Sequence, residues 1–334
     1  MREELKLQPQ KNNPKQNKLS LIFEKLSEIR IDATFLVLLT FILLQIFRLI
    51  DLLITNKTLA NILVIPFQLI IFIVPTCLFA FYKDREKPLG YIANLRIKLP
   101  AFYQIPLILS GFVAMAAGCL LISIACGGTE SLTDGFTLYN TFVSGGSGGF
   151  LESLLLVIGY AALPAVCEEL IYRGIICREF EKYNVLCAIL ASGVFFALLH
   201  FDLRQFPVYL FSGVILALSM YATGSLLVPI IIHFLYNLMG LFGQSFLNAF
   251  YQITGSIGLF AFLLFIIGML GAALFCAFAS KSYKIRAKNS TIPDHPLLPP
   301  PGAIPGIVAE IFLTPWSIAA VCLYILVLVV SSIL

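Results

Sequence analysis

Residues 150–174, FLESLLLVIGYAALPAVCEELIYRG, place a charged cluster at the end of a long apolar run. The apolar part is long enough to cross a bilayer, which takes about 20 residues of helix. Glu168, Glu169 and Arg173 follow at its end. An ionisable side chain at mid-membrane costs about 2.5–3.5 kcal/mol, so such residues are retained when they have partners or a function. The stretch therefore predicts a membrane-spanning helix whose charged residues need either partners or a function.

The composition of the whole chain is typical of a membrane protein. Of its 334 residues, 59% are hydrophobic and 12% are charged, whereas soluble domains are about 25% charged. These few charges cannot cover a water-soluble surface, so composition excludes a soluble cytosolic enzyme, a disordered chain and a nucleic-acid binder. The eight cysteines are scattered without a CxxC spacing, and we interpret them as small apolar residues.

Apolar runs of similar length recur and predict an all-α fold, a polytopic membrane helical bundle of about eight to nine transmembrane helices. The predicted spans lie near 33–54, 60–82, 102–126, 150–172, 185–201, 206–222, 225–245, 257–280 and 315–334. The chain then divides into four parts: an N-terminal arm (1–30), three helices with a Gly/Ser-rich outer loop (31–149), a central block (150–242), and C-terminal helices with a Pro-rich loop (243–334).

Lysine and arginine lie in alternate loops, and their placement predicts the orientation. The N-terminal arm and the loop after the second span are basic, whereas 127–149 and 248–256 contain neither Lys nor Arg. Because basic loops stay in the cytoplasm, we expect an integral, multi-pass protein of the plasma membrane with a cytoplasmic N-terminus. Nine spans would place the C-terminus outside.

Spacing assigns different roles to the charged residues within the apolar runs. Glu169 and Arg173 are four apart on one helix face and are expected to form an ion pair. Glu168 is rotated by about 100° from Glu169 and is the freer carboxylate. Near the outer end of the first span, Arg48 and Asp51 are three apart, and we interpret them as a structural pair.

Two of the three histidines, His200 and His233, lie in or at the ends of apolar runs, and Asn237 shares a helix face with His233. A carboxylate can take a proton from water, while imidazole and amide groups can bind a metal or stabilise an oxyanion. If the fifth helix begins near Val185, His200 lies about 22 Å along it. Convergence of these groups with Glu168 therefore needs a strongly tilted helix, a part of 174–190 that lies outside the membrane plane, or a deeper site.

Three ordered motifs emerge from these residues: Glu168-Glu169-x-x-x-Arg173, Phe196-x-x-x-His200 and His233-x-x-x-Asn237. In this order they resemble the CAAX-processing and bacteriocin-processing (CPBP) intramembrane proteases, also called Abi or Rce1-like proteins. The resemblance covers 150–242, which becomes the expected catalytic core. It implies an endopeptidase that cleaves a membrane-associated peptide or protein, whose lipid modification stays open, with membrane lipids as the other partners.

The resemblance also implies roles for individual residues. It makes Glu168 the catalytic glutamate, which would activate water with His200, while His233 and Asn237 would hold the oxyanion. No cofactor is favoured, although a zinc alternative would use Glu168, His200 and His233 as metal ligands. The supporting residues are Glu169, Arg173 and Phe196, and Arg173 is also a candidate to meet a substrate carboxylate.

Two further function classes stay open. A small-molecule transporter would also bury charges, but it would show inverted repeats and broken helices in matching positions, which the sequence lacks. A catalytically idle bacteriocin-immunity or scaffolding protein would not need the intact set of glutamate, histidine and asparagine.

Overall fold

The computed structural model describes residues 32–84, 86–127, 150–289, 298–299 and 302–333. Every regular element in these ranges is a helix. The N-terminal arm, the Gly/Ser-rich loop from residue 128 onward and much of the Pro-rich loop, with His295, lie outside the described residues. Their predicted positions relative to the membrane stay predictions.

Seven helices of the described part are long and apolar enough to cross a membrane. They are α1 (Ala33–Leu52), α2 (Leu59–Lys83), α4 (Phe102–Gly127), α5 (Ser153–Phe180), α7 (Phe206–Thr223), α10 (Ile257–Lys288) and α12 (Pro315–Ile333). The shorter helices are α3 (Pro88–Ala93), α6 (Val185–Leu199), α8 (Leu227–Phe242), α9 (Gln244–Thr254) and α11 (Ile304–Phe312). Helix α8 and residues Phe246–Thr254 of α9 meet at 72° and make an eighth span if they are taken together. The predicted all-α, polytopic class is confirmed.

The fifth predicted span forms helix α6, which is shorter than a full bilayer crossing. It has 15 residues and is therefore about 22 Å long. The side chain of Asn184 caps its start by accepting from the backbone N–H of Cys187 at 2.8 Å. The helix ends at His200, and Phe201 adopts a left-handed φ of 52° that turns the chain into α7.

Helices α6 and α7 form a hairpin whose two ends lie at the same end of the bundle. After α7, the backbone N–H of Leu226 donates to the carbonyl of Arg96 at 3.0 Å. Just before α6, Arg178 donates to the carbonyl of Tyr91 at 3.1 Å. Both ends of the hairpin thus adjoin the segment between α2 and α4. Because the chain returns to the end of the bundle from which it left, α8 begins at the same end as α6.

Helix α5 lies in the main core and carries the charged motif with it. It contacts α2, α6 and α8, and Ile171, Ile175 and Ile176 on its second half are fully buried. Ion pairs fix the end of α5 to neighbouring segments: Lys83 to Glu179 at 2.5 Å, and Arg96 to Glu181 at 2.6 Å. The helix is therefore anchored at its end and enclosed along the stretch that bears the glutamates.

Candidate functional site

Helix α5 is irregular on both sides of its glutamate pair. One π-helical turn spans Val157–Ala162 and another spans Leu170–Ile176, with the α-helical stretch Leu163–Glu169 between them. Pro164 begins this stretch, and a proline lacks the N–H that would bond the carbonyl four residues earlier. A widened turn ahead of the proline accommodates that loss, and such turns are frequent at functional sites.

The first widened turn leaves backbone carbonyls that side chains of neighbouring helices reach. Gln68 of α2 donates to the carbonyl of Gly159 at 2.8 Å, and Asn237 of α8 donates its Nδ2 to the carbonyl of Ala161 at 3.4 Å. Backbone polar groups freed inside a membrane must be satisfied in this way. The two bonds tie α2 and α8 to α5 next to the glutamates.

Glu169 and Arg173 form the ion pair that their spacing predicts. Arg173 Nη1 lies 2.6 Å from Glu169 Oε1, and neither side chain has any exposed area. The other terminal nitrogen, Nη2, donates to the carbonyl of Gly213 on α7 at 3.0 Å. The same Glu169 Oε1 also lies 2.9 Å from Nδ1 of His233. Sequence reasoning missed this second partner, because it depends on how α8 packs against α5.

Glu168 differs sharply from its neighbour in its surroundings. It takes part in none of the hydrogen bonds or ion pairs among the described residues, and its Oε2 is enclosed without a partner. The groups that interact with it electrostatically include His233, Glu169 and Arg173, and also Tyr209 of α7. One carboxylate of the pair is thus bound by two donors, while the other is left without any.

The imidazole of His200 is held on several sides. Its Nδ1 lies 2.9 Å from the carbonyl oxygen of Phe196, and the Phe196 ring meets it edge-on with centroids 5.0 Å apart. Tyr209 stacks on its face at 3.6 Å with an interplanar angle of 13°. Because a carbonyl only accepts, Nδ1 is the donor of this bond, and in the neutral ring Nε2 presents a lone pair. Tyr209 is a site residue that no motif in the sequence indicates.

Phe196 brings the three motifs together. Besides His200, its ring meets the His233 ring edge-on at 5.8 Å, and the Arg173 guanidinium lies 4.4 Å from its centroid. His233 lies six residues into α8, about 9 Å from the start of that helix. The motifs therefore converge inside the apolar part of the bundle, although their roles in catalysis stay predictions.

The zinc alternative can be tested against the geometry of its three proposed ligands. Among the described residues, no group of three His, Cys, Asp or Glu side chains is placed to hold a metal ion. Glu168, His200 and His233 are chemically suitable for zinc, but they are not assembled as a ligand set here. Each imidazole uses Nδ1 for a protein partner and keeps Nε2 for another group.

Two sequence-based interpretations of arginines need correction. Arg48 and Asp51 do not form an ion pair among the described residues; instead Arg48 Nη2 donates to the carbonyl of His200 at 3.3 Å, and its guanidinium lies 5.5 Å from the centroid of Phe201. Helix α1 packs against the core so that Arg48 points toward the α6–α7 turn. Arg173 is fully enclosed with both terminal nitrogens bonded, so it is not placed to receive a substrate carboxylate.

Comparison with known families agrees with the three motifs. The family model of the type II CAAX prenyl endopeptidase Rce1-like proteins matches residues 150–239, which include all three motifs. The resemblance to the CPBP family is thereby confirmed for this central part of the chain. The apolar helices of the described residues make the protein an integral, multi-pass membrane protein.

A curated relative extends the similarity beyond the core. The chain is 28% identical to the membrane-embedded CAAX protease MroQ of Staphylococcus aureus (strain USA300) over 191 residues, which cover 52% of this chain and 71% of that protein. No solved structure matches the chain significantly.

Proposed function

We propose that this protein is an intramembrane endopeptidase that uses a glutamate-activated water. The observation that carries the proposal is Glu168, a carboxylate inside a membrane helix that takes part in no hydrogen bond or ion pair among the described residues, whereas Glu169, whose Oε2 is also enclosed without a partner, is bound through Oε1. Such a group is costly in an apolar environment unless it is used. Of the proposed partners, His233 interacts with Glu168 electrostatically, and a carboxylate with imidazole and amide groups is the set that hydrolysis of a peptide bond requires.

In the proposed reaction, a water molecule lies between Glu168 and Nε2 of His200. Its oxygen attacks the carbonyl carbon of the peptide bond, and its proton passes to one of these two acceptors. Collapse of the tetrahedral intermediate then breaks the C–N bond, and the same proton goes to the departing amine. The protonated Nδ1 of His200 is tied to a backbone carbonyl, which keeps Nε2 available as the acceptor.

Asn237 and His233 are proposed to stabilise the oxyanion of that intermediate. Asn237 Nδ2 carries two N–H groups and uses one for the carbonyl of Ala161. His233 donates Nδ1–H to the Glu169 carboxylate, so its Nε2 can donate only when the ring carries two protons.

We propose that the reaction needs no metal ion, since the candidate ligands are not assembled as a set of three. The alternative is the zinc-dependent form of the same hydrolysis. Elemental analysis of active, purified protein, followed by chelation and re-addition, separates the two. Stoichiometric zinc whose removal abolishes cleavage and whose return restores it would contradict the metal-free proposal.

The substrate is proposed to be a peptide or protein held at the same membrane as the enzyme. The name of the relative MroQ describes a CAAX protease. Whether this chain requires a lipid group on its substrate is tested below by comparing peptides with and without one. We further propose a plasma-membrane location with a cytoplasmic N-terminus. Membrane lipids surround the helices, and nucleic acid has no part in the function.

Cleavage of fluorogenic peptides, with and without a prenyl group, by protein purified into lipid nanodiscs tests the proposal. We expect Glu168→Gln to abolish cleavage. The matched control is Glu179→Gln, which removes a carboxylate at the far end of the same helix, where it pairs with Lys83. Equal cleavage by the wild type and Glu168→Gln, or none by the wild type, would contradict the proposal.

A further inference from the structure

Arg48 is a cation beside the candidate site that the proposed mechanism does not use. Among the described residues its partners are the carbonyl of His200, at 3.3 Å from Nη2, and the ring of Phe201. No ion pair within the described part of the chain includes it. A guanidinium carries five N–H donors, so most of those of Arg48 are left for another acceptor.

Beside Arg48, the ring of Phe201 has a fixed position. Phe201, on whose ring the guanidinium rests, is fixed by an edge-on contact with Phe41 of α1 at 5.2 Å and by a tilted contact with Tyr324 of α12 at 5.5 Å. Phe201 also has the left-handed φ of 52°, a conformation that bulky residues adopt only when their environment imposes it. The turn after His200 thus presents an aromatic platform to the arginine.

The charge balance of the site indicates which ligand this cation suits. Arg173 pairs with Glu169, which leaves the negative charge of Glu168 without an ion-pair partner. A substrate carboxylate that approaches this region is repelled by Glu168 unless a second cation offsets the repulsion. Arg48 is exposed, is bonded to the backbone of a proposed catalytic residue, and has the planar fork that binds carboxylates in a bidentate manner.

We propose that Arg48 binds a carboxylate of the peptide substrate next to His200. The inference rests on the proposed protease function. An extended peptide spans about 3.3–3.6 Å per residue, so a carboxylate at Arg48 fixes which bond lies at Glu168. The carboxylate belongs either to the C-terminus of the substrate or to an acidic side chain, and the assay distinguishes these two sources.

The test uses one cleaved peptide in three forms: with a free C-terminal carboxylate, with a C-terminal amide, and with the amide plus one aspartate near the C-terminus. For the wild type, kcat/KM should be about 10- to 100-fold higher with the favoured carboxylate than with the amide, the range of a charge-assisted hydrogen bond. Arg48→Gln should abolish that preference, because KM rises for the carboxylate form and much less for the amide form. Arg48→Lys should retain part of the preference.

Arg204→Gln is the matched control, because it removes an exposed arginine four residues after His200. It should keep the preference of the wild type. If Arg48→Gln loses the same fraction of kcat on all peptides, the arginine only positions His200 and the inference is wrong. A wild type that shows no preference for a carboxylate peptide over the amide peptide would also overturn the inference. An effect that depends on anionic lipid in the nanodisc and not on the peptide would assign Arg48 to a lipid headgroup. Absence of all cleavage by the wild type would instead contradict the proposed function itself.

Discussion

Replacing Glu169 with glutamine should destabilise the protein strongly, although the change is nearly isosteric. Glu169 Oε1 lies 2.6 Å from Arg173 Nη1 and 2.9 Å from His233 Nδ1, with Glu169 and Arg173 fully buried. The amide oxygen can still accept a hydrogen bond, but the charge that neutralises Arg173 is lost. Removal of one partner from a buried ion pair costs about 3–5 kcal/mol, a large share of the about 5–15 kcal/mol by which native proteins are stable.

Glu168→Gln is a matched control for this substitution on the adjacent residue. Its carboxylate has no hydrogen bond in the described part of the chain and an enclosed oxygen without a partner. Removal of an unpaired, partly buried charge should leave the free energy of unfolding unchanged or raise it, even though we expect cleavage to be lost. The two neighbouring substitutions should therefore shift stability in different directions.

Thermal or denaturant unfolding of the purified variants in one detergent measures the difference. Glu169→Gln should lower the unfolding midpoint clearly, and the double variant Glu169→Gln/Arg173→Met should recover most of the loss, because it removes both charges. Equal midpoints for Glu169→Gln and Glu168→Gln would refute the reasoning. A double variant that is less stable than Glu169→Gln alone would also refute the reasoning.

Substitutions at Tyr209, Gly213 and Asn237 test the packing and chemistry of the site, and each variant is assayed by cleavage and by unfolding. Tyr209→Phe should be nearly neutral, whereas Tyr209→Leu should lower kcat by about 2- to 10-fold through loss of the stacked imidazole; equal effects would contradict a role for stacking. A Cβ on Gly213 would lie 2.9 Å from Gly193 Cα, so Gly213→Ala should lower the free energy of unfolding by about 1–3 kcal/mol. The control is Gly240→Ala, whose Cβ would have open space and which should cost no stability. Asn237→Ala should lower kcat about 10²- to 10³-fold, as loss of an oxyanion donor does, and should lower the unfolding midpoint modestly, because the carbonyl of Ala161 loses its donor. An unchanged kcat would remove Asn237 from the site.

The membrane class was predictable from sequence because lipid constrains composition and segment length strongly. The ion pair between Glu169 and Arg173 was predictable for a related reason, since i,i+4 spacing on a helix fixes proximity without any tertiary information. The division into four parts of the chain stays a prediction. The predicted count of nine spans was less secure because apolar runs of 15–17 residues do not specify whether a helix crosses the bilayer or stops within it, as α6 illustrates.

Contacts between helices were beyond prediction from one sequence. The bond from His233 to Glu169 depends on the packing of α8, and the stacking of Tyr209 on His200 depends on the α6–α7 turn. Arg48 shows the limit most clearly: its spacing favoured Asp51 as a partner, but the fold directs it to a carbonyl on another helix. Local spacing predicts partners on the same helix, and it fails where a tertiary acceptor competes.

The adjacent glutamates indicate how one helix turn supplies both a structural and a reactive carboxylate. Their side chains diverge by about 100°, so a single packing arrangement can bury Glu169 against Arg173 and against His233 of α8 while Glu168 makes no hydrogen bond among the described residues. Because Arg173 and His233 both bind Glu169, neither is drawn into an ion pair with Glu168. The two donors on Glu169 offset the stability that is lost because Glu168 is unpaired. We therefore expect Glu169→Gln to reduce mainly stability and Glu168→Gln to reduce mainly cleavage.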